Sequence, residues 1–390
     1  MTDRTYLDYN ASAPLLDCAR DALVELSGLE GNASSVHLEG REARKHIEKS
    51  RIEIASCLDC APANVIFSSG ATEAASHALA GGLKINEIIV PVGRLIVSSC
   101  EHPCVLQGGH IKEQLISVLP VTEDGLVDLV ALEQMVGEHK PAHGALIVAV
   151  QHANNETGVL QPVYDVSEVV HAVGGYLLVD AVQTFGRIPF SLYDLGADFL
   201  IASSHKIGGP KGAGALVLAK GNVSPVPLVR GGGQENYHRG GTENVAAIAG
   251  FSAACTWQKE NMTKNLKISS LRDSIEEGIS TISLEAGNEI AQPTFFGKGV
   301  ERLPNTSCFS VAGVRAETAL VALDLDGIAV SSGSACSSGK VKQSHVLAAM
   351  GASLENMEAA LRVSLGWNSS EECAQHFLAA WKTIVGRKAA

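Results

Sequence analysis

Five short apolar runs, separated by helix-like stretches, constrain the fold of this chain more than any other feature. The runs end at Phe67, Val97, Val150, Val179 and Ala202. Between them lie stretches such as 165–173, in which apolar residues recur at helical spacing. Strands that are apolar on both faces and alternate with helices are typical of a largely parallel sheet covered by helices on both sides. We therefore predict an α/β fold.

The character of the sequence changes near residue 256. A glycine-rich run at 212–218 predicts a further strand of the first sheet, for which we leave an antiparallel direction open, and a charged helical pattern over 266–279 follows it. Shorter strand-like runs and a final helix near 371–385 complete the chain. We predict a large domain at 16–255 and a smaller α+β domain formed by 1–15 and 256–390.

Charge and hydropathy exclude several classes of partner. The 390 residues carry a net charge of −12 with no basic block, which argues against a nucleic-acid partner. No apolar run approaches the roughly 18 residues that cross a bilayer, and the first residues lack the layout of a signal peptide. We expect a cytoplasmic protein that has no membrane partner.

The nine cysteines do not form the pattern of a disulfide scaffold or of a metal site. Cys57 and Cys60 form a C-x-x-C pair, but a zinc ribbon needs a second such pair and the sequence has none. Cys100 and Cys104 flank His102 without a fourth ligand. We interpret these thiols as packing residues and expect no intrinsic metal.

Chemistry-bearing residues follow each apolar run. In open parallel sheets, ligands bind beyond the carboxyl ends of the strands, so these residues should meet at one edge. They are Ala71 and Thr72 after the first run, His102 after the second, Asn155 after the third, Asp180 and Gln183 after the fourth, and Ser203, His205 and Lys206 after the fifth.

Each of these residues suits one part of pyridoxal phosphate. The turn before Thr72 offers backbone N–H groups and a helix N-terminus to a phosphate, which Ser203 and His205 could also reach. Lys206 lies in a glycine-rich segment and can form a Schiff base with an aldehyde. Asp180 would hold the pyridine nitrogen charged, so that the ring acts as an electron sink. His102 would stack on the ring and carry protons, and Asn155 and Gln183 would bind its phenolic oxygen.

Structural interpretations compete with each assignment taken singly. Asp180 could cap a helix, Lys206 could be a surface lysine, and His102 could belong to an ordinary turn. The order of the residues and their common position at strand ends favour the cofactor site.

The segment 331–339 contains a second candidate for chemistry. Cys336 lies among serine, glycine and alanine, which predicts an exposed loop thiol that can reach a substrate and pass on what it takes. Composition alone leaves open a loop that merely contains a cysteine.

Several motifs resemble those of the cysteine desulfurases of the NifS/IscS type. They include Asn154-Asn155-Glu156-Thr157-Gly158, Asp180-Ala181-Val182-Gln183, Ser204-His205-Lys206 and Arg239-Gly240-Gly241-Thr242-Glu243-Asn244. The segments 6–14, 31–35, 69–73 and 362–366 and the loop with Cys336 extend the resemblance, in order, over nearly the whole chain.

The resemblance implies a fold-type I pyridoxal phosphate enzyme of the class-V aminotransferase type, with a mainly parallel seven-stranded sheet in its large domain. It implies conversion of L-cysteine to L-alanine with a persulfide on Cys336, and transfer of the sulfur to an acceptor or iron–sulfur scaffold protein. By the same resemblance Lys206 holds the cofactor, Asp180 binds the pyridine nitrogen and His102 stacks on the ring. Ala71, Thr72, Ser203 and His205 bind the phosphate, Thr242 reaches it across the interface of a homodimer, and Asn155 and Arg362 bind the substrate carboxylate.

Two other classes of function remain open. Another enzyme of the same fold, an aminotransferase or a selenocysteine lyase, would keep Lys206 and Asp180, although an aminotransferase has no use for Cys336. A catalytically silent sulfur carrier would keep Cys336 but has no need of an intact Lys206.

Overall fold

The computed structural model describes residues 4–287, 291–332 and 343–389. All five apolar runs form strands, as predicted. The strands of the first part of the chain are β1 (Thr5–Tyr6), β2 (Val65–Ser68), β3 (Gly82–Ile85), β4 (Ile88–Ser98), β5 (Ile116–Leu119), β6 (Ala145–Gln151), β7 (Tyr176–Asp180), β8 (Phe199–Ser203), β9 (Gly214–Leu218) and β10 (Val223–Pro225).

Seven of these strands form the body of a large mixed sheet in the order β5-β4-β6-β7-β8-β9-β2. The contacts from β5 to β8 are parallel, whereas β9 is antiparallel to both of its neighbours. The first half of β4 extends the sheet by a ribbon with β3 and β10. The predicted α/β class and the antiparallel strand near 212–218 are confirmed.

Helices cover both faces of this sheet. They are α1 (Asp17–Ser27), α2 (Leu38–Leu58), α3 (Ala71–Ala78), α4 (Pro103–Leu106), α5 (Leu129–Gly137), α6 (Val163–Ala172) and α7 (Val245–Glu260). Alternate residues of β6 enter different cores: Leu146 and Val148 pack on one face, and Ile147 and Ala149 on the other. Because side chains of a strand point alternately to its two faces, burial on both sides requires the unbroken apolar run seen in the sequence.

The rest of the chain builds a smaller antiparallel sheet in the order β11-β12-β15-β14. The helices and strands of this part of the chain are α8 (Met262–Lys267), α9 (Ser269–Glu285), β11 (Thr294–Phe295), β12 (Thr306–Ser310), α10 (Ala316–Leu325), β13 (Ile328–Ala329), β14 (Ser331–Ser332), α11 (His345–Ala349), α12 (Leu354–Ala359), β15 (Leu361–Ser364) and α13 (Glu371–Ala389). Phe309 and Trp381 pack edge to face in its core, with ring centroids 5.3 Å apart.

The N-terminal segment joins the smaller sheet to the edge of the larger one. β1 pairs in parallel with β13, and Leu7 is buried in the smaller core. The Asn10 N–H then donates to Ser364 Oγ at 3.0 Å. This path brings residues 8–12 close to the ends of the large-sheet strands. Among the described residues, no helix is long and apolar enough to span a bilayer.

Candidate active site

The carboxyl ends of five strands lie at one edge of the large sheet. β4, β6, β7 and β8 run in parallel, and β2 shares their direction because the antiparallel β9 lies between it and β8. The residues predicted to meet after these strands therefore lie along a common edge, as expected from the sequence.

Asp180 is the last residue of β7 and is buried. Its Oδ1 accepts a hydrogen bond from the Val182 N–H at 2.9 Å. Burial raises the pKa of this carboxyl to about 6, although the Val182 N–H and the nearby charge of Lys206 act in the opposite direction. A cationic N–H donor beside this buried carboxyl would favour its ionised form.

Lys206 ends a short 3-10 turn that directly follows β8. Its Nζ donates to the carbonyl oxygens of Asn10 at 2.6 Å and Ala11 at 2.9 Å. The N-terminal segment thus holds the amine at the strand edge. Sequence analysis missed Asn10 as a site residue, although it belongs to the motif at 6–14.

Arg187 is a second site residue that sequence analysis missed. The buried guanidinium donates to Asn10 Oδ1 at 2.6 Å, to Gln183 Oε1 at 2.7 Å and to the Lys206 carbonyl at 3.2 Å. It therefore fixes Gln183 and the lysine-bearing turn relative to each other. Its position four residues after Gln183 is the local signal that could have suggested it.

His102 precedes α4 and caps it. Its Nδ1 accepts the Cys104 N–H at 3.2 Å and lies 3.0 Å from Cys104 Sγ. Because Nδ1 accepts a backbone hydrogen bond, the neutral ring carries its proton on Nε2. Burial and the charge of Lys206 lower the pKa of His102 to about 4, so the ring is neutral at physiological pH. Cys104, interpreted from the sequence as a packing residue, donates the backbone N–H that His102 accepts.

The turn between β2 and α3 is open on its outer side. Gly70 has φ 155° and ψ 176°, a conformation that glycine adopts most readily, and a Cβ there would meet nothing within 4 Å. The N-cap residue of α3, which begins with Ala71 and Thr72, is Gly70, and glycine has no side chain to cap the first turn. Free backbone N–H groups at a helix start are suited to an anion.

Ser203 and His205 lie on either side of the end of β8. Ser203 is buried at the end of the strand, whereas His205 is half-buried, with Nδ1 3.3 Å from Ser12 Oγ. Burial, together with the charge of Lys206, lowers the pKa of His205 to about 4. Its neutral ring can donate one hydrogen bond at this edge.

Arg362 enters from β15 of the smaller sheet and is buried. Its Nη2 donates to Asp8 Oδ1 at 2.8 Å and its Nη1 to the Asn155 carbonyl at 3.0 Å. Its buried Nε has no hydrogen-bond partner within the described ranges. The structure therefore brings Arg362 and Asn155 together and leaves one charged donor available.

Glu101 is a third residue that sequence analysis missed. It is fully buried next to His102, and its Oε1 accepts the Gln151 N–H at 2.7 Å. Burial, with a smaller contribution from the charge of Asp180, raises its pKa well above the usual range. Its carboxyl therefore binds its proton more tightly than a solvated glutamate does.

Two predicted residues are not brought into this arrangement. Thr242 is exposed, and no contact within the described residues joins it to the ends of the strands. Cys336 lies outside the described residues. No group of three or more potential metal ligands occurs in 4–287, 291–332 or 343–389.

Comparisons with known proteins cover the chain almost completely. The model of the aminotransferase class-V family matches residues 5–377. The chain is 36% identical to a cysteine desulfurase IscS of Dictyoglomus turgidum, over 99% of this chain and 95% of that protein.

Solved structures agree with this similarity. A NifS-like protein from Rickettsia africae superposes with a TM-score of 0.84 at 31% identity, over 98% of this chain and 99% of the other. A structure described as SspA in complex with cysteine superposes with a TM-score of 0.71 at 26% identity, over 93% of this chain and 98% of the other.

Proposed function

Because this chain belongs to the class-V aminotransferase family, among the cysteine desulfurases of the IscS and NifS type, we propose that it uses pyridoxal phosphate to convert L-cysteine to L-alanine. The family resemblance read from the sequence is confirmed. The observation that carries the proposal is the position of Lys206 and Asp180 at the ends of neighbouring strands. His102 lies close enough to Lys206 for the charge of the lysine to lower the His102 pKa. The neighbour solved with cysteine supports the choice of substrate.

The turn at Gly70 fits the phosphate of this cofactor. A Cβ on Gly70 would meet nothing within 4 Å, and this glycine, as the N-cap residue of α3, offers no side-chain cap. A dianion there would accept hydrogen bonds from the N–H groups of Ala71 and Thr72 and gain from the helix dipole. Ser203 and His205 would add donors from the end of β8.

Asp180 and Lys206 fit the ring. Burial raises the pKa of the Asp180 carboxyl, and a pyridinium N–H would supply a donor and a positive charge that favour the ionised form. Lys206 Nζ would hold the aldehyde carbon. Gln183, fixed by Arg187, and Asn155 would bind the phenolic oxygen, and His102 would lie against the ring face.

When bound, the cofactor supplies an electron sink for the carbon that loses its α-proton. Lys206 Nζ, which the Asn10 and Ala11 carbonyls hold at the strand edge, would be the base for that proton. His102 carries its proton on Nε2, because Nδ1 accepts the Cys104 N–H, so Nε2–H is the group that would donate a hydrogen bond to the substrate.

Arg362 would bind the substrate carboxylate. Its Nε has no partner among the described residues, while Asp8 and the Asn155 carbonyl orient its other nitrogens. A planar guanidinium matches the two oxygens of a carboxylate. The asparagine side chain of Asn155 would add a donor on the same side.

We assign Cys336 as the sulfur acceptor on the resemblance. Its thiolate would attack the substrate sulfur, an S–S bond would form and the substrate C–S bond would break, leaving the electron pair on carbon. Protonation of that carbon gives alanine and leaves a persulfide on Cys336. No external oxidant is required, because the reduced carbon balances the oxidised sulfur.

The remaining assignments concern organisation. We propose a homodimer in which Thr242 reaches the phosphate of the partner subunit, a large domain at 16–255 and a small one formed by 1–15 and 256–390. The separate core that buries Leu7 with the C-terminal half supports the placement of 1–15. A cytoplasmic location and a sulfur-acceptor or iron–sulfur scaffold protein as partner complete the proposal.

The test is the purified full chain supplied with pyridoxal phosphate, L-cysteine and a dithiol reductant. We expect a visible cofactor band and equal amounts of alanine and sulfide. Borohydride reduction should fix the cofactor to the wild-type chain but not to Lys206→Ala, whereas the exposed Lys211→Ala should be labelled like wild type.

Cys336→Ser separates the cofactor site from the sulfur step. This variant should keep the visible band and lose sulfide release, and the exposed Cys18→Ser should keep both. Alanine production by Cys336→Ser at the wild-type rate would contradict the assigned nucleophile, and a chain that takes up no cofactor would contradict the whole proposal.

A further inference from the structure

The segment Val229–Gly240 forms a loop that closes on itself, here called the 229–240 loop. The Gly240 N–H donates to the Val229 carbonyl at 2.8 Å. The backbones of Gly231 and Gly240 are so close that a Cβ on Gly240 would lie 2.6 Å from Gly231 Cα. Two residues after this closure comes Thr242, so the position of the loop decides where Thr242 lies.

Three consecutive residues of the loop have a backbone conformation that side chains disfavour. Glu235, Asn236 and Tyr237 have φ of 46°, 52° and 68°, and none of them is glycine. Such conformations persist only where surrounding contacts impose them, and they occur often at functional sites. The contacts of Glu235 and Arg239 supply that constraint.

The first contact is a buried ion pair, here called the inner clamp. Both nitrogens of the Arg51 fork donate to the two Glu235 oxygens at 2.8 Å, and both side chains are nearly inaccessible. Glu235 Oε2 also accepts the Phe67 N–H at 2.8 Å. Arg51 in turn donates to the Val65 carbonyl and lies over the Phe67 ring, 4.8 Å from its centroid. The loop is thereby attached to β2.

A second arginine–carboxylate pair, here called the outer clamp, binds the backbone N–H of the residue two positions after Phe67. Arg239 Nε donates to Glu73 Oε1 at 2.8 Å, and Glu73 Oε2 accepts the Ser69 N–H at 2.9 Å. In both clamps a carboxylate paired with an arginine binds a backbone N–H, first of Phe67 and then of Ser69. Gly70, Ala71 and Thr72 follow at once.

From this geometry we propose that Glu235 and Arg51 are positioning residues for the cofactor phosphate. They fix the 229–240 loop and the backbone of residues 67–69 relative to each other, so that the N–H groups after Gly70 and the Thr72 hydroxyl keep a preset orientation. Neither residue touches the cofactor. The inference rests on the proposed function, since it takes the β2–α3 turn as the phosphate site.

The test compares binding of pyridoxal phosphate with binding of pyridoxal, which lacks the phosphate. Both ligands are titrated into the full chain and followed by visible absorbance. An amide at position 235 cannot accept from both guanidinium nitrogens and the Phe67 N–H, so Glu235→Gln loosens the inner clamp with little change in volume. We expect affinity for pyridoxal phosphate to fall about tenfold, and that for pyridoxal to change by less than about twofold.

Glu276→Gln is the matched control. Glu276 and Arg302 form another buried bidentate pair, at 2.9 and 3.3 Å, between α9 and the chain before β12. This control should lose stability in a similar way but keep the wild-type ratio of the two affinities. Glu235→Gln with equal loss for both ligands, or with no loss, would overturn the proposal and leave a structural role.

Arg239→Gln keeps the proposal testable if Glu235→Gln does not fold. The outer clamp is only half-buried, so the chain should tolerate its loss, and the same selective weakening toward pyridoxal phosphate is expected. An unchanged ratio in this variant would count against the inference. Wild-type protein that binds neither ligand would instead refute the proposed function, so the two failures are distinguishable.

Discussion

Replacing Glu156 by glutamine should stabilise the protein at alkaline pH and have little effect in acid. Glu156 follows the site residue Asn155 and is buried, and its Oε2 accepts the Ser344 hydroxyl at 2.5 Å. Burial raises the pKa of the Glu156 carboxyl from 4.5 to about 7, although the Ser344 hydroxyl and the charge of Arg362 oppose the shift. Glutamine has the shape of the protonated acid but does not ionise.

The magnitude follows from proton linkage. Between pH 4.5 and 7 the unfolded chain has released this proton and the folded chain has kept it, so wild-type stability falls as the pH rises through this window. Above pH 7 the folded carboxyl ionises as well, and the loss is then constant. A shift of about 2.5 pKa units corresponds to about 3 kcal/mol in the free energy of unfolding. The free energy of unfolding of Glu156→Gln should therefore rise relative to that of wild type as the pH increases from 4.5 to 8, by about this amount in total.

Urea unfolding of the cofactor-loaded protein at pH 5 and pH 8 measures the effect. The midpoint of Glu156→Gln should exceed that of wild type at pH 8 by clearly more than at pH 5. The exposed Glu168→Gln serves as control, and its midpoint should follow wild type at both values. If the midpoints of Glu156→Gln and wild type differ by the same amount at both pH values, Glu156 does not titrate in this window and the reasoning is wrong.

Two further predictions concern the smaller sheet. Arg362→Lys keeps the charge but loses the planar guanidinium. KM for L-cysteine should therefore rise at least about tenfold in steady-state assays, while the cofactor spectrum stays unchanged. An unchanged KM would mean that Arg362 does not bind the substrate. Trp381→Ala empties a fully buried position against Phe309 and Phe377 and should cost about 3–5 kcal/mol in denaturant unfolding, and a loss below about 1 kcal/mol would mean that the core refills the cavity.

The central strands could be predicted because their burial leaves a direct mark in the sequence. β6, β7 and β8 are buried along almost their whole length, and only an unbroken apolar run satisfies that condition. The ribbon of β3 and β10 leaves no such mark. Its strands are short, and Leu83 pairs with Pro225, which is far away in sequence. The ribbon is therefore defined by this long-range pairing and not by a local pattern of apolar residues.

The site divides in the same way. Asp180 and Lys206 could be found from the sequence because each directly follows a recognisable strand. Asn10 and Arg187 left only weak signals, the motif at 6–14 and the spacing from Gln183, because their roles depend on a contact across 177 residues between the N-terminal segment and the turn after β7. Glu101 was overlooked because a carboxylate beside a turn histidine suggests a solvated position, whereas the fold buries it completely.

The distribution of thiol pKa values explains how a site with several cysteines can direct sulfur to one of them. Cys104, which the sequence places two residues after His102, lies 3.0 Å from His102 Nδ1. Burial, aided by the charges of Asp180 and Glu101, raises the Cys104 pKa far above neutrality, and burial raises that of Cys100 to about 12 and also that of Cys308. Only a thiolate attacks sulfur at a useful rate, so these three thiols are inert despite their proximity. We assign the sulfur step to Cys336 on the family resemblance, and the raised thiol pKa values agree with that assignment, because burial holds the Cys104 thiol in its protonated form although it lies close to His102.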